Sequence, residues 1–261
     1  MQGSATNCSP MPPERMQVTD DAALGGKLRL LQPKRGHRFG HDAILLAAAV
    51  PAQAGQHAVD LGAGIGAAGL ALLTRVGKTQ ITLVEIDPAL AALAAENITR
   101  NGFERRARAV TLDVGAPTRA FSSAGLAAGA ADHVLMNPPF NDPAHQPSPD
   151  RKRRVAHAAS KDTLPVWIRA ASRLLRNGGG LTLIWRSDGL DAVLDALSGG
   201  YGATEILPIH PSAEKPAIRV IVRATKGSGK PLSLLPGLAL NDEDNRPTTA
   251  AEAVLRGGAA L

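Results

Sequence analysis

The sequence predicts an α/β fold: one mostly parallel sheet of seven strands, helices on both faces, and a C-terminal antiparallel hairpin. Three observations carry that reading. Short apolar runs at His57–Leu61, Ile81–Ile86, Ala107–Leu112, His133–Met136 and Leu181–Trp185 alternate with helical stretches, the pattern of a parallel sheet. A turn almost without side chains, Gly62-Ala63-Gly64-Ile65-Gly66, follows the first of these runs. The fourth stops abruptly at Asn137-Pro138-Pro139-Phe140, because two successive prolines cannot donate ladder hydrogen bonds.

Taken in order, residues 1–20 are polar and proline-punctuated and are expected to form a disordered tail. Residues 21–257 are read as a single domain, with an N-terminal extension at 21–55, a core at 56–225 and a C-terminal extension at 226–257. In the first extension, residues 26–33 form a short strand ended by Pro33, and Asp42 caps a helix over Ala43–Val50 that Pro51 stops. Ala67–Val76 is a helix with Leu70, Leu73 and Thr74 at helical spacing. Asp87-Pro88 caps and starts the next helix, which runs to about Arg100 and ends at Asn101-Gly102. Residues 114–131 are small and suit a thin helix, and the polar, proline-broken stretch 141–161 is a long loop. Leu164–Arg176 is a helix ended by Gly178-Gly179-Gly180, and Asp188–Leu197 another. Thr204–Ile209 and Ile218–Ala224 pair as a hairpin that adds an antiparallel edge. A short apolar piece at 232–240 and a last helix at 249–255 complete the chain.

Composition narrows the function. The lone cysteine, Cys8, excludes an internal disulfide framework and a cysteine-rich zinc site. The histidines show no metal spacing, so no metal is expected. The first twenty residues lack the apolar stretch of a signal peptide, and no apolar run approaches the roughly 18 residues of a membrane span. A cytoplasmic monomer without a membrane partner is expected. A net charge of +6 and a pI near 9.9 favour an anionic partner such as nucleic acid. The charge is clustered in Arg151-Lys152-Arg153-Arg154, in Lys34, Arg35, His37, Arg38 and His41, and in Arg100, Arg105, Arg106 and Arg108. Trp167 and Trp185 sit in apolar elements and read as core.

The chemistry gathers at the strand ends, where open α/β sheets bind ligands. The spacing of Gly62, Gly64, Gly66 and Gly69 alone admits a dinucleotide, but Asp60, two residues before the first glycine, suits a cationic ligand better than a pyrophosphate. Glu85 ends the second strand where a doubly wound domain places an acid for ribose hydroxyls. Asp113 ends the third, within reach of an adenine amino group, and Asn137 ends the fourth. Four polar residues in register, with a glycine turn after the first, point to a nucleoside site. The Asn137 side-chain oxygen and the Pro138 carbonyl are acceptors for an amine, Pro139 stiffens the segment, and Phe140 offers a stacking face.

With these residues the chain resembles the class I S-adenosylmethionine (SAM)-dependent methyltransferases over residues 35–225, in the Asp-Leu-Gly-Ala-Gly-Ile-Gly turn at 60–66 and the Asn-Pro-Pro-Phe motif of enzymes that methylate exocyclic or amide nitrogens. The resemblance implies a Rossmann-like fold and SAM as cofactor. It implies that Asp60, Gly62, Gly64 and Gly66 hold the methionine part, Glu85 the ribose and Asp113 the adenine, with Asn137 also among the cofactor-binding residues. A narrower similarity, to the bacterial anticodon-loop adenine-N6 methyltransferases of valine tRNA, rests on residues 31–42, the Met-Asn-Pro-Pro-Phe-Asn run at 136–141 and the tail at 238–257. It implies an adenine in a tRNA anticodon loop as acceptor, with Lys34, Arg35, Arg38 and the run 151–154 on the RNA backbone. One departure leaves the base open. The adenine-N6 branch often has Tyr where Phe140 stands, and Phe also occurs in rRNA guanine-N2 enzymes. An rRNA guanine-N2 or protein glutamine-N5 methyltransferase is therefore the alternative.

Overall fold

The computed structural model describes residues 16–35, 38–139 and 163–261. Phe140, the basic run 151–154 and residues 1–15 of the expected tail lie outside the described residues. The remainder of that tail is not a tail. Residues Val18–Ala23 form strand β1, which pairs antiparallel with β2 (Leu28–Pro33) along its whole length, from Val18 opposite Pro33 to Ala23 opposite Leu28. The polar composition that suggested disorder belongs to the exposed face of this hairpin, where Asp20 pairs with Arg29 and Arg100.

Helix α1 spans His41–Ala49, with Gly40 as its N-cap. Asp42, expected to be the cap, lies in the first turn and binds Arg219 Nε at 3.0 Å. The core then alternates as predicted: β3 (His57–Leu61), α2 (Ala67–Arg75), β4 (Gln80–Glu85), α3 (Pro88–Arg100), β5 (Ala107–Thr111), α4 (Thr118–Ser123) and β6 (Ala131–Met136). After the undescribed stretch come α5 (Thr163–Leu174), β7 (Leu175–Arg186), α6 (Leu190–Leu197), β8 (Tyr201–Ser212) and β9 (Arg219–Lys226). Helix α5 stops two residues earlier than expected, and the three glycines fall inside a strand whose register with β6 slips between Ala131 and His133.

The seven expected strands lie in the order β8-β9-β7-β6-β3-β4-β5. Among these, only β9 runs antiparallel to its neighbours, β7 on one side and β8 on the other. Two short strands, β10 (Ser233–Leu234) and β11 (Leu238–Asn241), add to β8 in parallel and bring the sheet to nine. The chain closes with α7 (Thr249–Glu252), which continues into a wider turn over Ala253–Gly257. No described helix is long and apolar enough to cross a membrane.

Both faces of the sheet are buried, as a parallel sheet requires. Alternate strand residues enter opposite cores. Ala58, Ile81 and Leu83 pack with α1, α2 and α3, whereas Val59, Leu61 and Val84 pack with α4, α5 and α6. Helix α2 lies so close to β4 that a Cβ on Gly69 would sit 2.4 Å from Leu83 Cδ2 and 2.8 Å from Ile81 Cδ1. Any larger residue there would have to push these methyl groups aside.

The hairpin β1–β2 is fastened by two asparagines, Asn97 of α3 and the helix's C-cap Asn101. Asn101 Oδ1 accepts from the Arg29 N–H and its Nδ2 donates to the Arg29 carbonyl. Asn97, fully buried, does the same to Leu31, at 2.7 and 3.0 Å. Side chains four apart on a helix rise about 6 Å, and alternate residues of a strand are spaced by nearly the same distance. The two amides thus imitate a neighbouring strand and satisfy the edge of β2 that β1 leaves open. Asn97 Nδ2 also donates to the Ile65 carbonyl at 3.1 Å, which ties the hairpin to the glycine turn.

Candidate active site

Parallel pairing of β3 with β6 sets Leu61 opposite Met136. The next residues of the two strands, Gly62 and Asn137, therefore leave the same sheet edge side by side. On the other flank β4 pairs with β3 and β5 with β4, so Glu85 and the segment carrying Asp113 leave that edge too. The topology thus brings the four predicted strand-end residues together.

Asp60, Glu85 and Asp113 are each placed by hydrogen bonds to nearby backbone N–H groups. Asp60 is 2% exposed, and its Oδ2 accepts from the Gly69 N–H at 2.9 Å. It holds the start of α2 from beneath the turn, supplying the side-chain acceptor that the N-cap Gly66 lacks. Burial pushes its carboxyl up to about 7; the nearby Glu85 charge acts in the same direction, and the Gly69 N–H opposes both. Glu85 spans two loops: Oε2 accepts from the Gly64 N–H at 2.7 Å and Oε1 from the Asp87 N–H at 2.9 Å. A carboxylate has about four lone-pair sites, so two acceptor directions remain for a diol. Asp87 caps α3, accepting from Ala89 and Leu90. Asp113 is exposed, with Oδ1 in a turn to the Gly115 N–H at 2.8 Å.

The turn itself runs through left-handed backbone at Gly62 (φ 69°), Gly64 (φ 57°) and Gly66 (φ 87°). Nothing lies within 4 Å of where a Gly64 Cβ would be, so the turn is open toward a ligand there. At Gly62 the space is filled instead by Trp167: a Cβ would lie 2.3 Å from its Cη2. Trp167 is only partly buried, unlike the core residue Trp185. Trp167 packs against the core, as expected, but is not enclosed by it, because its ring also reaches the glycine turn at the sheet edge.

Asn137 carries the site's most informative atom. Its Oδ1 is buried and has no hydrogen-bond partner among the described residues. A buried acceptor left unpaired costs about 1–3 kcal/mol, a cost that a donor brought by a ligand would remove. Pro138 is buried and Pro139 half-buried. The orphaned acceptor, the open glycine turn and the spare acceptor directions of Glu85 fit a nucleoside-bearing methyl donor beside an amine. Among the described residues no group of three or more His, Cys, Asp or Glu side chains is placed to hold a metal ion.

The basic residues divide. Lys34 and Arg35 are exposed just beyond β2. Arg38, predicted beside them on an RNA backbone, is instead tied to the hairpin: it pairs with Asp21 at 2.9 Å and also reaches Thr19 Oγ1 and the Pro33 carbonyl. Arg106 and Arg108 donate to backbone carbonyls of Leu73, Val76, Ala124 and Gly125. Charge clustering was legible in the sequence, but the internal use of these guanidiniums was not. Asn97 was missed as well. Its signal was a polar residue on the apolar stripe of Leu90, Leu93, Ala94 and Ile98.

The buried Asp60 makes stability depend on pH. Its folded pKa lies above the unfolded value of 3.8, so folding takes up a proton between about pH 4 and 7. Its contribution is complete below the unfolded value and is lost as pH rises through about 7. In urea unfolding of the ligand-free protein, Asp60→Asn is expected to flatten the decline between pH 5 and 7, by up to about 1.4 kcal/mol per pH unit. Wild-type and variant curves that run parallel would contradict this.

Comparison with known proteins agrees with the geometry. The family model described as methyltransferase small domain matches residues 38–205. A Bacteroides fragilis protein named tRNA1(Val) (adenine(37)-N6)-methyltransferase is 30% identical over 174 residues, 66% of this chain and 70% of that one. A Serratia proteamaculans protein of the same name is 27% identical over 72% of this chain and 71% of its own. The crystal structure of Atu636 from Agrobacterium tumefaciens, titled a predicted O-methyltransferase, superposes with a TM-score of 0.72 at 31% identity, covering 84% of this chain and 98% of that one. With its motif residues assembled on one sheet edge and the family match spanning most of the core, the chain belongs to the methyltransferase small-domain family, enzymes whose methyl donor is S-adenosylmethionine.

Proposed function

We propose that this enzyme methylates the exocyclic N6 of an adenine in a tRNA anticodon loop. The observation that carries the acceptor reading is the buried Oδ1 of Asn137, beside the glycine turn and without a partner among the described residues. An exocyclic amine brings two hydrogens, and the Asn137 oxygen and the Pro138 carbonyl are two acceptors for them. A hydroxyl brings one, so this arrangement favours nitrogen over oxygen as the methylated atom. The names of the Bacteroides and Serratia relatives support adenine N6 and a tRNA.

When bound, S-adenosylmethionine supplies an activated methyl group. Gly62, Gly64 and Gly66 form its turn, with Asp60 bracing that turn from below, while Glu85 takes the ribose and Asp113 the adenine. The Asn137 and Pro138 oxygens orient the amine lone pair and stabilise positive charge building on nitrogen. Pro139 keeps the segment stiff, and Phe140 stacks on the target base, worth about 1–3 kcal/mol. An anticodon-loop base is already partly unpaired, which lowers the cost of flipping it. The RNA backbone lies on Lys34 and Arg35 and on the run 151–154. The enzyme is read as a cytoplasmic monomer.

Synthetic anticodon stem-loops with adenine or guanine at one loop position test the acceptor. Methylation of the adenine form alone is expected. Methylation of guanine, or of neither form but of a protein glutamine, would move the assignment to the rRNA guanine-N2 or the protein glutamine-N5 class, readings that Phe140 in place of Tyr keeps open.

Removing both Lys34 and Arg35 by alanine substitution is expected to weaken tRNA binding and to reduce the slope of log affinity against log salt by about 1.5, as two lost phosphate contacts require. Arg38→Ala should leave that slope unchanged and lower stability instead, because its guanidinium serves Asp21. Filter binding at several salt concentrations separates the two.

A further inference from the structure

We propose that Trp167 is a wall of the methyl-donor site and that its indole recognises the positive charge of the sulfonium. Three observations place it there. The ring lies directly on Gly62: a Cβ at that residue would sit 2.3 Å from Trp167 Cη2 and 2.9 Å from Cζ3, so the contact exists only because Gly62 has no side chain. Gly62 and Asn137 leave adjacent parallel strands, since Leu61 and Met136 are paired. The ring therefore stands at the junction of the donor turn and the acceptor motif, where the group being transferred must pass. Finally, Trp167 lies on the same stripe of its helix as Leu164, Ile168 and Ala171 and packs against their cluster, but it alone of the four is not fully buried. Its ring thus bridges the buried cluster and the glycine turn, with part of its surface left open.

An indole face carries negative electrostatic potential and attracts cations. The donor is a cation at sulfur before transfer and a neutral thioether afterwards. A π wall at that point holds the donor more tightly than the demethylated product and so favours exchange of one for the other. It acts on the ground state. Its loss should raise the KM for the donor and leave kcat nearly unchanged, the opposite of losing Asn137. This inference rests on the reading of Gly62 as part of the donor turn.

The test is titration calorimetry of the full-length protein with S-adenosylmethionine and with S-adenosylhomocysteine, for wild type, Trp167→Leu and Trp167→Phe. A cation–π contact of ordinary strength predicts roughly 5- to 30-fold weaker binding of the sulfonium ligand by Trp167→Leu. Loss for the thioether should be no more than about threefold, and Trp167→Phe should fall between. Equal losses for both ligands, or none, would overturn the proposal. If the leucine variant does not fold, the difference in tryptophan emission between wild type and Trp167→Phe isolates this ring. A change with the sulfonium ligand larger than with the thioether supports the proposal, and no change with either overturns it. Wild-type protein that binds neither ligand would refute the donor-site reading itself, a result distinct from equal losses.

Discussion

Asn137→Ala is expected to slow methyl transfer roughly a hundred- to a thousandfold, the usual effect of removing one preorganised group aimed at developing charge. Affinity for S-adenosylmethionine should stay within about threefold, because the proposed function has the lost oxygen face the acceptor amine. The physical basis is the state of Oδ1 before any ligand arrives: buried, and with no partner among the described residues. A group whose only role was to shape the turn after β6 would be bonded to it. Single-turnover transfer measured beside donor titration separates the two effects. Near-wild-type turnover in the variant would remove Asn137 from the chemistry, and a parallel loss of donor binding would place it on the cofactor instead.

The largest effect on stability is expected from Asn97→Ala. The substitution strands the Leu31 N–H and C=O and the Ile65 C=O, all of which Asn97 now satisfies. At a site with no solvent exposure this should cost about 2–4 kcal/mol in denaturant unfolding. Donor affinity should fall as well, because Ile65 belongs to the glycine turn. Asn101→Ala removes the matching pair of bonds to Arg29 nearer the surface, where water replaces them, and is expected to cost about 1 kcal/mol. Equal costs at the two positions would contradict the assignment of Asn97 as the buried fastening.

What could be read from the chain follows from which interactions are local. The alternation of strands and helices, the cap at Asp87 and the stop at Asn137-Pro138-Pro139 are written in consecutive residues, and the fold agrees with them. The strand ends that carry Asp60, Glu85, Asp113 and Asn137 could be aligned because a parallel sheet sends every such end to one edge. Long-range pairings were not legible. Strand β1 depends on β2 for its order, and its acids read as a polar tail until Arg29, Arg38 and Arg100 are seen across from them. Arg38 looked free for phosphate for the same reason. Trp167 read as core because an aromatic in an apolar helix usually is. Only the folded chain shows its ring on Gly62, just past the end of β3.

Delivery of a methyl group from one sheet edge to adenine N6 in tRNA is the reaction proposed for this enzyme. Its most direct test is transfer from labelled S-adenosylmethionine to bulk tRNA from a strain lacking this protein, followed by nucleoside analysis. Label confined to N6-methyladenosine is the expected result. Label in another nucleoside, or in none while the donor still binds, would contradict it.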